Sequence, residues 1–394
     1  ERDAARAEIA AIRKANQKIP DDHDYSEAAT RDSFIDQLLT EAGWPLDQER
    51  DREFPVQGMP NGTGKGFVDY VLWGDDGKPL GLVEAKRSRK DSRTGQQQAK
   101  LYADCLEARY GRRPVMFTTN GYEHWIWDDA MYPARRISGF LKKDELQLLH
   151  QRRANLKKLR DVPLDEEIAG RFYQQRAIRR VGEAFEKHAQ RKALLVMATG
   201  SGKTRTVIAL VDQLMRANRV KRVLFLADRI ALVKQAHGAF KAHMGATPSA
   251  NLIERHDPKK NDHSGARVCL STYPTMMGLI EQMNGGEKRF GPGHFDMIVI
   301  DEAHRSVYRK YRAIFEYFDC LLVGLTATPR DEIDKDTYSL FDLEKGVPTD
   351  SYDLDDAVSD GYLVPPKTIS VPLKFQREGI DYDQLTDDEK EEWD

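Results

Sequence analysis

Within the 21-residue stretch GFVDYVLWGDDGKPLGLVEAK, Asp69, Glu84 and Lys86 have the residue types and spacing for chemistry on a phosphodiester. Two apolar, strand-like runs flank an Asp76-Gly77 dipeptide, a strong short-range signal for a two-residue hairpin turn. With those two residues as the loop, paired positions sum to 153, so that Asp75 faces Lys78 and Asp69 faces Glu84. Opposed residues of an antiparallel pair share a face, with Cβ atoms roughly 4.5 to 5.5 Å apart. Two carboxylates at that distance repel or share a proton unless a cation sits between them. Oxygen-only donors suit Mg²⁺, so Asp69 and Glu84 are candidate metal ligands. Lys86 lies one strand repeat beyond Glu84 on the same face. There it can orient or deprotonate a water and stabilise charge on a phosphorane-like transition state. An edge hairpin with an ordinary Glu–Lys ion pair fits the same pattern.

A second set of residues points to a nucleotide. KALLVMATGSGKTRTVIALVDQLM has the order strand, Gly-rich loop, helix. Backbone N–H groups from Thr199 through Gly200, Ser201 and Gly202 to Lys203 would cradle phosphates at a helix N-terminus, with Lys203 on the terminal phosphates and Thr204 on Mg²⁺. Met197 stands where the G-x-x-x-x-G-K-T form has its first Gly. About a hundred residues on, FDMIVIDEAHRS supplies a strand ending in Asp301 and Glu302. Beside the loop strand, the first acid can hold Mg²⁺ and the second can polarise the attacking water. Thr326 and Thr328 of VGLTATPR are placed to sense the γ-phosphate, and Gln174 of RFYQQRAI, roughly 25 residues before the loop, stands where an adenine reader is expected.

These residues need a scaffold. The 394 residues, 40% hydrophobic and 32% charged, suffice for two or three domains. The spacing of Phe34, Ile35, Leu38, Leu39 and Ala42 predicts a helix capped by Gly43. Val115–Thr118 and His124–Trp127 read as strands joined by an Asn120-Gly121 turn. Gln98 and Tyr102 are one helical turn apart on a shared face. A charge-dense run, with Leu146, Leu149 and Leu156 on one stripe, reads as a helical linker that either packs on one domain or contacts DNA. After the Gly-rich loop, RVLFLADRIALVKQA and RVCLSTYPTM alternate strand and helix, giving a parallel sheet of at least five strands.

Cys105, Cys269 and Cys320 are too few and scattered for a disulfide framework or zinc site, and His237, His243, His256 and His263 are not spaced as zinc ligands. No run of about eighteen apolar residues appears, and the amino-terminal stripe of Ile9, Ile12 and Ile19 is a charged amphipathic helix unlike a signal peptide, so the cytoplasm is expected. A net charge of -3 leaves any DNA contact to local clusters such as KRSRKDSR from Lys86. The missing initiator Met and the ending DDEKEEWD suggest a piece of a longer protein.

The Asp69, Glu84, Lys86 arrangement resembles the PD-(D/E)xK nuclease core, with Val68 where that core usually has Pro. Gln98 and Tyr102 are similar to the QxxxY element that accompanies it in endonuclease subunits of type I restriction enzymes. The loop, the D-E-A-H residues and the threonines resemble superfamily 2 DEAH-box motors, in which the first Gly of the loop is also replaced. That resemblance implies a RecA-like domain, with Asp228, Arg229, Gln235, Ser271 and Thr272 near a DNA-contacting edge and His304 coupling ATP state to it. LLTEAGW, VEAKRS, TNGYEHWIWD, MATGSGKTRT and DGYLVPP are similar to the motor-and-nuclease R subunit of type I restriction-modification enzymes.

The implied architecture is α/β: a PD-(D/E)xK nuclease-like domain over 1–140, a charged linker over 141–169, a RecA-like P-loop NTPase domain over 170–370, and from 371 to 394 the start of a connection to a second RecA-like domain. The family implies ATP and Mg²⁺, double-stranded DNA, and modification and specificity subunits as partners, with S-adenosylmethionine entering only through the modification subunit. It implies ATP-driven translocation of DNA and cleavage of unmodified DNA away from the recognition site. Without a second RecA-like domain, which usually supplies an arginine finger worth about 10³ to 10⁵ in rate, residues 1–394 are expected to bind nucleotide but turn it over poorly. A helicase-nuclease of another defence or repair system fits the same modules. So does a non-catalytic module in which the hairpin charges are an ion pair and the loop domain is a nucleotide-dependent clamp.

Overall fold

The computed structural model describes residues 34–86, 92–253, 265–303, 305–328 and 335–365. The amino-terminal amphipathic stretch, residues 87–91 of the basic run, His256, His263, His304 and the connection expected over 371–394 lie outside them. No helix of the described residues is long and apolar enough to cross a membrane.

The first layer is a six-stranded sheet in sequential order: β1 (Arg52–Gln57), β2 (Lys65–Trp73), β3 (Pro79–Ala85), β4 (Val115–Thr119), β5 (His124–Trp127) and β6 (Arg135–Ile137). β3 and β4 run parallel, joined by the crossover helix α2 (Gln96–Tyr110); the other neighbours are antiparallel. Both faces are covered. Ala99, Tyr102, Ala103 and Leu106 of α2 pack with Val71, Leu82 and Met116. Ile35 and Leu39, which flank and belong to α1 (Asp36–Glu41), pack opposite with Tyr70, Leu72, Val83 and Phe117.

The β2–β3 turn differs from the two-residue form expected from Asp76-Gly77. Gly77 N–H donates to Gly74 O at 3.1 Å and Gly74 N–H to Lys78 O at 2.9 Å, with Gly77 at φ 72°, so the loop is the three residues Asp75–Gly77. Lys78 lies opposite Gly74 rather than Asp75, whose carboxylate accepts from Lys143 and from Gln147 at 2.9 Å. Asp76 sets the longer loop: it accepts from Lys78 N–H at 3.2 Å and holds Arg112 at 2.5 Å. A register shift between Leu72 and Trp73 then absorbs the odd residue, and Tyr70 falls opposite Val83, Val71 opposite Leu82 and Leu72 opposite Gly81. That is the register expected from the sequence, reached through a bulge rather than a tight bend.

The helix expected to act as a linker, α3 (Lys143–Asn155), is built into the first layer, because Leu146 and Leu149 fill the same core as Phe117 and Leu80. Leu156 caps its end instead of extending the stripe. Glu145, 2% exposed, accepts from Lys142 N–H at 2.9 Å and from Gly293 N–H at 3.1 Å, both through Oε2. Burial raises its carboxyl from the ordinary 4.5 to about 7. Below about pH 4.5 both folded and unfolded chains hold this proton; as pH rises to 7 only the folded chain retains it, and above 7 burying the carboxylate destabilises the fold by about 3 kcal/mol. Urea unfolding is therefore expected to show stability falling from pH 5 to 8, and Glu145→Gln, which keeps one acceptor oxygen, is expected to flatten that profile. An equally steep profile in the variant contradicts this assignment.

The second layer is a seven-stranded parallel sheet in the order β15 (Asp350–Tyr352), β7 (Lys192–Met197), β14 (Leu321–Thr326), β13 (Met297–Ile300), β8 (Val223–Ala227), β10 (Val268–Thr272) and β9 (Ser249–Asn251). The central strands are buried along their length apart from Lys192 at the start of β7, as continuous apolar runs require in a sheet with both faces covered. Its helices include α4 (Phe172–Glu186), α5 (Lys203–Arg216), α6 (Ile230–His243), α7 (Tyr273–Ile280) and α8 (Arg305–Tyr317), and a small ribbon pairs β11 (Met283–Asn284) with β12 (Glu287–Lys288). The layers meet through Arg135 on Asp319 at 2.6 Å, Lys142 on Glu287 at 2.7 Å, Arg222 on Asp144 at 3.0 Å, and the Arg152–Asp296 pair. Residues 354–365 form a separate short unit beginning with a helix over Leu354–Ser359.

Candidate functional site

At the carboxyl end of β3 the pairing with β2 stops at Val83, opposite Tyr70, and Asp69 and Glu84 are the first residues beyond it, while β3 remains paired with β4 through Glu84 and Ala85. Asp69 Oδ2 accepts from Ala85 N–H at 2.7 Å, a bond that turns the Asp69 carboxylate toward the end of β3. Glu84 is 1% exposed, and its Oε1 lies 2.6 Å from Lys86 Nζ. The same amine reaches Gln98 Oε1 at 3.3 Å, and Gln98 Nε2 donates to Tyr102 OH at 2.8 Å. Glu84, Lys86, Gln98 and Tyr102 thus form one hydrogen-bonded chain from β3 to α2, whose one-turn spacing puts the last two on the sheet-facing side. Burial, with the nearby Glu84 and Asp69 charges, raises the Tyr102 hydroxyl above its ordinary range, so it stays protonated at neutral pH.

Among the described residues no three His, Cys, Asp or Glu side chains converge as a metal centre. Asp69 and Glu84 offer two carboxylates at a strand end, a set that fits Mg²⁺, which retains waters and takes one or two carboxylates. Gly95, just before α2, was not singled out in the sequence. A Cβ there would fall 2.9 Å from Glu84 Cγ and 3.1 Å from Lys86 Cε, so only a residue without a side chain lets this turn close over the pair. The signal was a Gly immediately preceding a Gln-rich helix start.

In the second sheet the Gly-rich loop joins β7 to α5. Gly200 and Gly202 have φ of 85° and 95°, conformations that favour glycine. Ser201 is buried and its hydroxyl donates to Ala198 O at 2.7 Å. Lys203 Nζ lies 3.4 Å from Met197 O and 3.7 Å from Glu302 Oε1, and Lys203 and Thr204 open α5, where the helix dipole favours anions. Asp301 and Glu302 follow β13, with Glu302 N–H on Asp301 Oδ1 at 3.1 Å and Glu302 at φ 51°. Burial and the Glu302 charge raise the Asp301 carboxyl, against the pull of Lys203.

β13 is not beside the loop strand as expected: β14 lies between them and carries Thr326, whose Oγ1 accepts from Thr328 N–H at 3.1 Å. Strand order is a tertiary property, and the acids reach the loop from one strand further away. Gln174 is buried, with its amide on Ser201 O at 3.2 Å. Tyr173, which the sequence reading passed over, donates to the same carbonyl at 2.7 Å and stacks on Tyr352 at 3.8 Å. Of the residues expected near a DNA edge, Arg229 and Gln235 are exposed. Ser271 and Thr272 are buried at the end of β10, where Ser271 Oγ bonds Thr272 O and Thr272 Oγ1 bonds Thr275 Oγ1.

The family model for the N terminus of the type I restriction enzyme R protein (HSDR_N) matches residues 26–137, and that for the type III restriction enzyme res subunit matches 167–331. The EcoAI endonuclease subunit of a type I restriction enzyme from Escherichia coli is 31% identical over 79% of this chain and 38% of its own length. The EcoKI endonuclease subunit from Escherichia coli strain K12 is 28% identical over 88% of this chain and 36% of its own. The chain therefore spans a little over a third of these relatives. Among solved structures, a fragment assigned as an HsdR subunit from Vibrio vulnificus YJ016 aligns over 86% of this chain and 61% of its own at 26% identity and a TM-score of 0.38. The helicase domain of Hef from Pyrococcus furiosus aligns over 46% and 39% at 22% identity and a TM-score of 0.35. With the amino-terminal match falling on the sheet that carries Asp69, Glu84 and Lys86, and the second on the parallel sheet behind the Gly-rich loop, the comparisons support reading this chain as similar to a fragment of the R subunit of type I restriction enzymes.

Proposed function

We propose that this chain is the cutting and motor part of a type I restriction enzyme, hydrolysing phosphodiester bonds of unmodified double-stranded DNA at the Asp69–Glu84–Lys86 site and moving DNA with ATP bound at the Gly-rich loop. The observation that carries the reading is the hydrogen-bonded chain from Glu84 through Lys86 and Gln98 to Tyr102 beside Asp69. Asp69 and Glu84 would hold Mg²⁺, which when bound lowers the pKa of water and neutralises phosphate charge. Lys86, fixed between Glu84 and Gln98, can donate to a phosphate oxygen as negative charge grows on it. Tyr102 anchors Gln98, which limits the freedom of the Lys86 amine.

At the loop, Lys203 would contact the terminal phosphates, Thr204 and Asp301 would hold Mg²⁺, Glu302 would orient the attacking water, and Thr326 and Thr328 would face the γ-phosphate. DNA sequence choice would rest with a specificity subunit and protection with a modification subunit, the family's usual partners. The test is cleavage of unmethylated closed-circular DNA by the complete subunit assembled with those partners. Cutting that requires both ATP and Mg²⁺ supports the reading; cutting without either, or no cutting by the intact assembly, overturns it.

Gly95→Ala tests the fit of the turn over the site. Displacing Glu84 and Lys86 by the added methyl is expected to slow cleavage by up to about 10²-fold, the effect of a misplacement near 1 Å, while ATP hydrolysis stays unchanged. Cleavage at the unsubstituted rate contradicts the proposed packing.

A further inference from the structure

Between the two layers lies a cavity of about 50 Å³ whose wall brings Arg135, Arg152 and Arg153 of the first layer against Arg191 and Arg219 of the second. Each guanidinium has at least one partner already. Arg135 Nε and Nη2 grip Asp319 at 2.7 and 2.6 Å, and Arg191 shares that carboxylate at 2.7 Å. Arg153 pairs with Asp128 and donates to Arg113 O at 3.0 Å, Arg219 pairs with Glu186, and Arg152 with Asp296. What remains is Arg135 Nη1, Arg153 Nε and Arg219 Nε, all buried and without a hydrogen-bond partner among the described residues.

The three aspartates nearby, Asp128, Asp296 and Asp319, are already in use. Asp319 serves two arginines, and Asp296 also accepts from the N–H groups of Lys221 at 2.7 Å and Arg222 at 2.9 Å. Glu145 is in the wall too: its Oε2 is taken by Lys142 and Gly293 N–H, while its Oε1 is buried with no hydrogen-bond partner among the described residues. Three unpaired donors on three separate chain segments call for one ligand that only accepts. Guanidinium groups match tetrahedral oxyanions through their fixed fork of N–H bonds. The cavity is several times the roughly 10–15 Å³ that one water needs by this measure, which leaves room for a five-atom anion.

We propose that this cavity binds one small tetrahedral oxyanion of the inorganic phosphate class, which bridges the nuclease layer to the motor layer. It is separate from the Gly-rich loop, none of whose residues lines it. Because the anion binds only where both layers supply donors, its binding stabilises their contact by mass action.

Equilibrium dialysis of labelled inorganic phosphate against the full chain tests this, in a Lys203→Ala background so that the loop does not compete. One phosphate per chain is expected, with a melting temperature higher in phosphate than in chloride of equal ionic strength. Arg135→Gln and, separately, Arg219→Gln are expected to weaken binding by about tenfold or more and to remove the phosphate-dependent part of the melting shift. No bound phosphate, binding that neither substitution changes, or equal melting in both salts would mean a cavity holding only water and would overturn the proposal. If neither variant folds, a tungstate-soaked crystal of the unsubstituted chain decides: an anomalous peak between Arg135 and Arg219 supports the site, and a cavity without one overturns it.

Discussion

Lys86→Ala in the assembled enzyme is expected to reduce DNA cleavage by about 10²- to 10³-fold, the usual loss when one preorganised donor to a transition-state oxyanion is removed, and to leave ATP hydrolysis and DNA binding within about twofold. The amine is the hub of the site, at 2.6 Å from Glu84 and 3.3 Å from Gln98, with its side chain 14% exposed. Nothing else in that hydrogen-bonded chain is a cation, so its loss leaves growing phosphate charge to the metal alone. The defect should fall on kcat rather than KM, since a group that acts mainly on the transition state contributes little to ground-state binding. Lys86→Arg is expected to fail as a rescue, because a planar fork cannot replace a point charge held between two acceptors. Melting must be followed in parallel, since the substitution also strips a nearly fully buried Glu84 of its ion pair. Cleavage within about twofold of the unsubstituted enzyme, with the fold intact, would reduce Lys86 to a structural ion pair and remove the proposed nuclease.

What could be read from the chain follows from how local each determinant is. The Gly-rich loop was legible because strand, turn and helix are consecutive and Gly200 and Gly202 occupy the left-handed conformations their residue type favours. The level of Asp69 with Glu84 was legible from period-two alternation, yet the turn itself was not. Its length is set by Asp76 holding Arg112, 36 residues away, and an opposite shift at Leu72 cancels the error. α3 shows the same limit: the Leu146 and Leu149 stripe announces a buried face but not which sheet buries it. The burial of Ser271 and Thr272, and the placement of β14 between the loop strand and β13, likewise depend on strand order, which no short window of sequence carries.

Lys203→Ala is expected to lower ATP hydrolysis by the assembled enzyme about 10²- to 10³-fold and, in the same measure, to abolish cutting away from the recognition site, although Asp69, Glu84 and Lys86 are untouched. The Lys203 side chain is 12% exposed, opens α5 and lies 3.7 Å from Glu302, which puts it beside the proposed water-orienting acid at the proposed phosphate site. Its removal does two things at once. It takes a cation from where the β/γ-phosphates are proposed to bind, and it takes from Asp301 the charge that opposes the rise in that carboxyl. Asp301 must be ionised to hold Mg²⁺, and in the folded chain it gains its proton at a higher pH than an ordinary aspartate. Affinity for the Mg²⁺–nucleotide pair should therefore decline on acidification before an unperturbed aspartate would titrate, and in Lys203→Ala the decline should begin at a still higher pH. Titrating a fluorescent ATP analogue against both proteins across pH separates the two effects. If Lys203→Ala still cuts remote DNA at the unsubstituted rate, the loop does not drive the transport that brings DNA to the nuclease, and the two sheets work independently.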